Sequence, residues 1–415
     1  CRILQRHFAD ARACRVPLSS MDKLQSCIPA GIPLWIDPEI DAYHHFWNTG
    51  TSWPFNVYSE SPTAIRAKWP RDDRDKPVSD WKFKLWDRWE KRFNRFHGYR
   101  LLTKEKCWQK KYEEDLDIFV AEVLDACIES HPAWVSLPQL PVGKGRSRVN
   151  RRLSEAAGIW KKGRPADVRL ILPLIVTTAS VLGSKPSRDN TLKAAMECYG
   201  LARAEGIWVV DTSLTDQSRS ERYPVRYEKL IEFHEGLRKA LPRQAIVIGG
   251  PYWGINLVLW ARRLCDFPAT SLGTTYTYHI PCGQPTQGNV RLSIPPLRRW
   301  VLANTDLAGW LDDVLRRLDP ADSVYSELAE LRRNFETLMG KDAAAEQVAR
   351  FFKRWFSTIE SVSPEGRSLA LYQDLSSAFV LGRQLPPLPK AALPQAPAKV
   401  LEAGKVAEQL MLHCL

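Results

Sequence analysis

No stretch of this chain approaches about 18 consecutive uncharged apolar residues, so no segment reads as a membrane-spanning helix. The N-terminal segment also lacks the charged, apolar and small-residue order of a secretory signal. Cysteine is sparse and unpaired in pattern: nine residues, an odd number, scattered and without a CxxC pair. That favours a reduced, cytoplasmic compartment over a disulfide framework. No repeat of solenoid type is visible. No cofactor signature stands out either, so no cofactor, no metal and no membrane partner are expected.

What remains is ample material for a core. The 415 residues are 44% hydrophobic, enough for one large domain with additions or for two to three domains. Against 47 acidic residues stand 59 basic ones, a net charge of +12. Such an excess points to an anionic partner, with nucleic acid first, and a basic but uninvolved surface is the plain alternative.

The chain is organised around Gln244–Cys282. Gln244–Ile248 is a short apolar run ending at Gly249-Gly250-Pro251, as a buried parallel strand ends in a loop. Residues 254–264 have helical spacing, and Ala269–Thr275 is a second apolar run. Similar runs occur at Ile32–Asp37, Ala133–Leu137, Val168–Val176, Ile207–Asp211 and Val290–Ile294. Strand starts near 168, 207, 244 and 269 lie 39, 37 and 25 residues apart, which suits successive βα units. Helices are predicted over 80–97, 111–129, 150–161, 190–204 and 226–240.

The fold class is therefore α/β, a TIM-like (β/α) barrel, irregular in having six or seven strands. Residues 1–30 form a helix-rich lead-in, and 31–296 the barrel, with a helical insertion around 60–130. Residues 297–384 form a helical region with helices over 298–317, 322–339 and 343–359. The stretch 367–382 reads as either strand or helix. A semi-rigid proline-rich linker and a tail helix fill 385–415.

Barrel enzymes keep their acids at the carboxyl ends of strands, where Asp37 and Asp211 sit. Two carboxylates at one mouth can divide acid and base roles if their surroundings push their pKa values apart. The plainer reading is that each caps a helix or accepts loop amides. Gly249 and Gly250 allow close approach to the backbone, or simply make a tight turn. Tyr252, Trp253, Tyr276, Tyr278 and His279 offer stacking faces for a base, although aromatics are also ordinary core material. His279 and Cys282 have ligand-like spacing, but two ligands do not make a zinc site. Lys144, Arg146, Arg148, Arg151 and Arg152, in and just after a loop with two glycines, suit phosphate contacts, as does the basic face of 80–97 with Arg88, Arg92 and Arg95. For both, a solvated surface is the plain alternative.

The stretch IWVVDTSLTDQSRSERYPVRYEKLIEFHEGLRKAL, followed by AIVIGGPYWG, resembles the middle of the tRNA-guanine transglycosylase superfamily, which includes a branch installing 7-deazaguanines in DNA. The resemblance implies that Asp211 bonds a target base and that Gly249-Gly250 lies against the same base, with Asp37 matching an early strand-end aspartate. Its specific part spans about 50 residues of a region near 30–300. The chain departs from the pattern in lacking the family's zinc cluster. It also has Thr274, Thr275 and Tyr276 where a nucleophilic aspartate belongs. Two expectations follow. One is a transferase-type enzyme that binds a flipped nucleobase and breaks or exchanges its glycosidic bond. The other is a non-catalytic nucleic-acid-binding or scaffolding subunit working with a protein partner.

Overall fold

The computed structural model describes residues 2–18, 21–24, 27–40, 63–64, 67, 87, 90–99, 113–143, 147–164, 168–214, 223–271, 290–394 and 396–415. Seven strands pair in parallel and in chain order: β1 Cys14–Pro17, β2 Leu34–Asp37, β3 Trp134–Ser136, β4 Arg169–Val176, β5 Gly206–Asp211, β6 Ile246–Gly249 and β7 Phe267–Pro268. The sheet curls as a half-barrel, and among the described residues no strand joins β7 back to β1. α1 Arg2–His7 precedes the first strand, and further helices run between strands: the short α2 Met21–Leu24, α3 Glu113–Ile128, α4 Ser147–Lys162, α5 Lys185–Ala202, α6 Tyr223–Ala240 and α7 Ile255–Ala261. None among the described residues is long and apolar enough to cross a membrane.

Local chemistry explains the elements. β4 reads RLILPLIV and is buried from its second residue onward, as a strand covered on both faces must be. α5 starts where the Ser184 side chain accepts the Ser187 N–H at 3.3 Å, with Pro186 in its first turn. Along the strands, side chains alternate between two cores. Trp35, Trp134, Ile171, Ile175, Trp208, Val210 and Ile248 form the inner core, joined by Phe267. Ile36, Val135, Leu172, Leu174, Val209 and Val247 face the helices in the larger outer core.

Seven strands match the predicted number, but the membership differs. β1 lies inside the supposed lead-in, because a four-residue CRVP strand carries too little periodicity to stand out. The predicted strand over 269–275 is a two-residue β7 at 267–268, and 272–275 lie outside the described residues. Val290–Ile294 does supply a strand, but not one of the parallel sheet. β8 Arg291–Ile294 pairs antiparallel with β9 Arg299–Leu302, which occupies the predicted start of the 298–317 helix. Pro295–Leu297 forms a single 3-10 turn, and Arg298, in the left-handed region at φ +52°, reverses the chain into β9.

The helical region follows with α8 Thr305–Arg317, α9 Ser323–Arg333, α10 Phe335–Leu338, α11 Lys341–Glu360 and α12 Arg367–Gln384. The ambiguous 367–382 stretch is thus helical. The supposed linker is packed: Leu388, Ala392, Leu393, Ala396 and Val400 are buried before α13 Lys405–Met411. Arg299, itself buried, ties this segment down by donating to the carbonyls of Val400 at 3.1 Å and Glu402 at 2.8 Å.

His234 of α6 is wholly buried, and burial, with the Arg238 charge adding, holds its imidazole down to about 4 from an ordinary 6.5. The unfolded chain therefore takes up a proton before the folded one does. Stability present above pH 6.5 is lost as pH falls toward 4, by about 2 kcal/mol at pH 5. Urea midpoints at pH 7 and pH 5 should differ less in His234→Leu than in the parent, and an equal difference would refute the assignment.

Candidate functional site

The carboxyl end of β1 and β2 holds a cluster of charged side chains. Pairing of Arg15 with Trp35 and of Pro17 with Asp37 puts Arg15 and Asp37 on the inner face of the sheet. Arg15 Nε donates to Asp37 Oδ2 at 2.6 Å, and a second guanidinium nitrogen closes on the same oxygen. Asp37 Oδ1 accepts the Glu39 N–H at 2.9 Å. Glu39 then takes Arg92 at 2.9 Å on one oxygen and lies 3.9 Å from Arg15 on the other. The result is a four-residue alternation of charge, Arg92, Glu39, Arg15, Asp37, at the strand ends.

Two features mark Glu39. Its φ is +54°, in the left-handed region that non-glycine residues enter at a cost and that recurs at functional sites. Burial raises its carboxyl pKa, and the nearby Asp37 adds to this, although the Arg15 and Arg92 charges pull the other way. Beneath the cluster lies a floor of indoles. The Arg15 guanidinium stacks 4.7 Å from the Trp208 ring, Trp35 meets Trp208 edge-on at 5.2 Å, and Trp35 meets Trp134 at 6.0 Å. The Trp35 N–H donates to Ser136 Oγ at 2.9 Å and the Trp208 N–H to the Gly250 carbonyl at 2.6 Å.

Asp211 does not join this cluster's face. It pairs with Val176, and alternation puts both on the side of Ile207 and Val209, toward the helices. Three strand positions separate β2 from β5 in the sheet, and opposite pleat parity separates the two aspartates further. The expectation that consecutive strand ends would bring them together overlooked both. Asp211 is buried, and its backbone N–H donates to the Tyr252 hydroxyl at 2.7 Å.

Gly249 and Gly250 have packing reasons. A side chain on Gly249 would meet Cys265 Sγ at 3.3 Å and Leu259 at 3.4 Å, and Gly250 has φ +98°. Tyr252 is 1% exposed, with its hydroxyl also reaching the Val209 carbonyl at 3.3 Å, so it is a buried brace rather than a stacking face. Trp253 is likewise core, stacked on Phe351 at 5.8 Å.

Among the basic residues, Arg92 turns inward to Glu39, and Arg152 grips Asp117 with bonds of 2.6 and 2.7 Å. Those two are engaged in internal ion pairs. Arg148 and Arg151 are exposed, the latter paired with Glu197 at 2.9 Å, and exposed Arg95 lies over Phe96 at 4.7 Å. Lys144, Arg146, Arg88, Tyr276, Tyr278, His279 and Cys282 lie outside the described residues. Among the described residues no three His, Cys, Asp or Glu side chains converge as metal ligands.

Sequence reasoning missed Arg15 and Glu39. Glu39 stands two residues beyond Asp37 in the segment IDPEID, and that doubled acid was the available signal. Arg15 had none, because its strand went unrecognised. Comparison with protein-family models, curated proteins and solved structures finds no match to this chain.

Proposed function

We propose that the chain is a (β/α)-barrel protein that binds nucleic acid and takes a nucleobase at the β1–β2 mouth, where its glycosidic bond would be broken or exchanged. The observation carrying this reading is the cluster of buried Asp37 with half-buried Arg15, Glu39 and Arg92 at the carboxyl end of the sheet, where parallel α/β folds build their sites. Carboxylates accept N–H groups from a purine's Watson–Crick edge, and guanidiniums suit phosphate. A carboxyl group with a raised pKa, as at Glu39, suits proton delivery to a departing base. Charge distribution supports the anionic partner. Acidic and basic residues nearly balance over 298–384, so the excess of +12 lies almost wholly in the residues before them.

A second reading, a non-catalytic nucleic-acid-binding or scaffolding subunit, is favoured by one observation. Asp211 faces the helices and the Gly250 carbonyl is occupied by Trp208, so the residues that suggested base exchange are engaged in packing.

Fluorescence polarisation with labelled single-stranded RNA and DNA separates the readings when run beside chromatography of released base. Affinity should fall by orders of magnitude between low and physiological salt. The log–log slope should shrink by about 1 in Arg95→Ala or Arg148→Ala, each of which removes one phosphate-binding side chain. Base release abolished by Asp37→Asn, with binding retained, supports the enzyme. Binding without release supports the subunit. No binding, or binding indifferent to salt, overturns both.

A further inference from the structure

We propose that a groove between α9 and α11, which shares no lining residue with the mouth cluster of the sheet, binds a free amino acid with an apolar side chain. The cavity there measures about 320 Å³, at the small end of ligand-binding pockets. Its walls are two matching helical stripes. α9 presents Glu327, Glu330, Leu331 and Asn334, and α11 presents Gln347, Arg350, Phe351 and Arg354, each spaced i, i+3, i+4, i+7. Facing stripes at that spacing ordinarily close with apolar side chains. Here polar residues occupy half or more of each stripe, and α9 breaks at Asn334 before the single turn of α10, so the gap stays open.

The chemistry of the lining selects the ligand. Leu331 and Phe351 are 5% and 4% exposed and give an apolar floor. The rim carries both signs in pairs. Glu327 binds Arg354, while Glu330 and Arg350 stand 3.7 Å apart, beyond hydrogen-bond range, and each is about 60% exposed. That loose pair keeps its bonding capacity for a ligand bearing an ammonium and a carboxylate together. Deeper in, Gln347 accepts from the Ser293 N–H and hydroxyl and donates one amide hydrogen to the Ser293 carbonyl at 2.9 Å. Its second amide hydrogen has no acceptor among the described residues and can meet a ligand carboxylate. A singly charged ligand would leave one rim charge unmatched, whereas a zwitterion with a hydrocarbon side chain matches all three parts.

Isothermal titration of the full chain with L-leucine and L-phenylalanine, beside acetate and isobutylamine, tests this. Expected are saturable one-to-one binding of an amino acid, at least tenfold weaker binding in Arg350→Gln, and none in Leu331→Trp, whose indole fills the floor. Circular dichroism checks that Leu331→Trp folds. If it does not, the exposed Arg350→Gln decides alone. No saturable heat with either amino acid, acetate binding as tightly as leucine, or undiminished binding in Arg350→Gln overturns the proposal.

Discussion

Gly158→Ala should destabilise the protein by about 3 kcal/mol or more, with Gly200→Ala as its opposite. A Cβ on Gly158 in α4 would lie 1.9 Å from the Leu201 carbonyl oxygen of α5, a backbone atom that no rotamer change can move. The two helices must separate or the chain must bend, and forced overpacking costs about 1–3 kcal/mol, occasionally more. Gly200 sits on the exposed side of α5 with nothing within 4 Å of the same added atom. There the methyl group only raises helix propensity and should stabilise by up to about 1 kcal/mol. Urea unfolding of both variants reads the difference. Equal midpoints would mean that α4 and α5 do not cross as closely as described.

Asp374→Ala should cost about 3 kcal/mol. This carboxylate takes Arg298 in a two-pronged pair at 2.6 and 2.8 Å and the Trp355 indole N–H at 2.9 Å. It joins α12 to α11 and to the turn of the β8–β9 hairpin. Removing it leaves a guanidinium only 19% exposed without its counter-ion and orphans a buried N–H, a loss typically worth about 3–5 kcal/mol, with partial exposure favouring the lower end. Asp374→Asn keeps an acceptor for Trp355 and should recover about 1 kcal/mol of that loss. Thermal melts of the two variants suffice, and an unchanged melt in Asp374→Ala would refute the role.

Strands were legible where their signal was strong. β4, β5 and β6 are buried on both faces, so each shows an unbroken apolar run. β1 and β7, four and two residues long, carry no such run and were missed or misplaced. The packed 386–400 segment looked like a linker because its prolines dominate the pattern. Its buried Leu388, Leu393 and Val400 alternate with those prolines at no regular period. At the site, Asp37 was legible as a strand-end acid. Asp211 looked equivalent in the sequence and differs by one step of pleat parity, which depends on where a strand begins pairing rather than on its composition. Arg92 was read as a surface cation because its helix is basic, yet its partner Glu39 lies 53 positions earlier, beyond any local pattern.

Because each strand of the sheet pairs with the one immediately before it, the first strands to pair already form a correct fragment of the finished sheet. Assembly can proceed by addition at one growing edge, and apart from the long connection between Asp37 and Trp134, each addition closes a loop of roughly one strand–helix–strand unit. Such short closures favour rapid pairing. A mispaired strand would halt everything after it while leaving everything before it intact. Faults near β2 should therefore yield early, largely unpaired products, whereas faults near β6 should leave a compact stub with one bare edge open to aggregation.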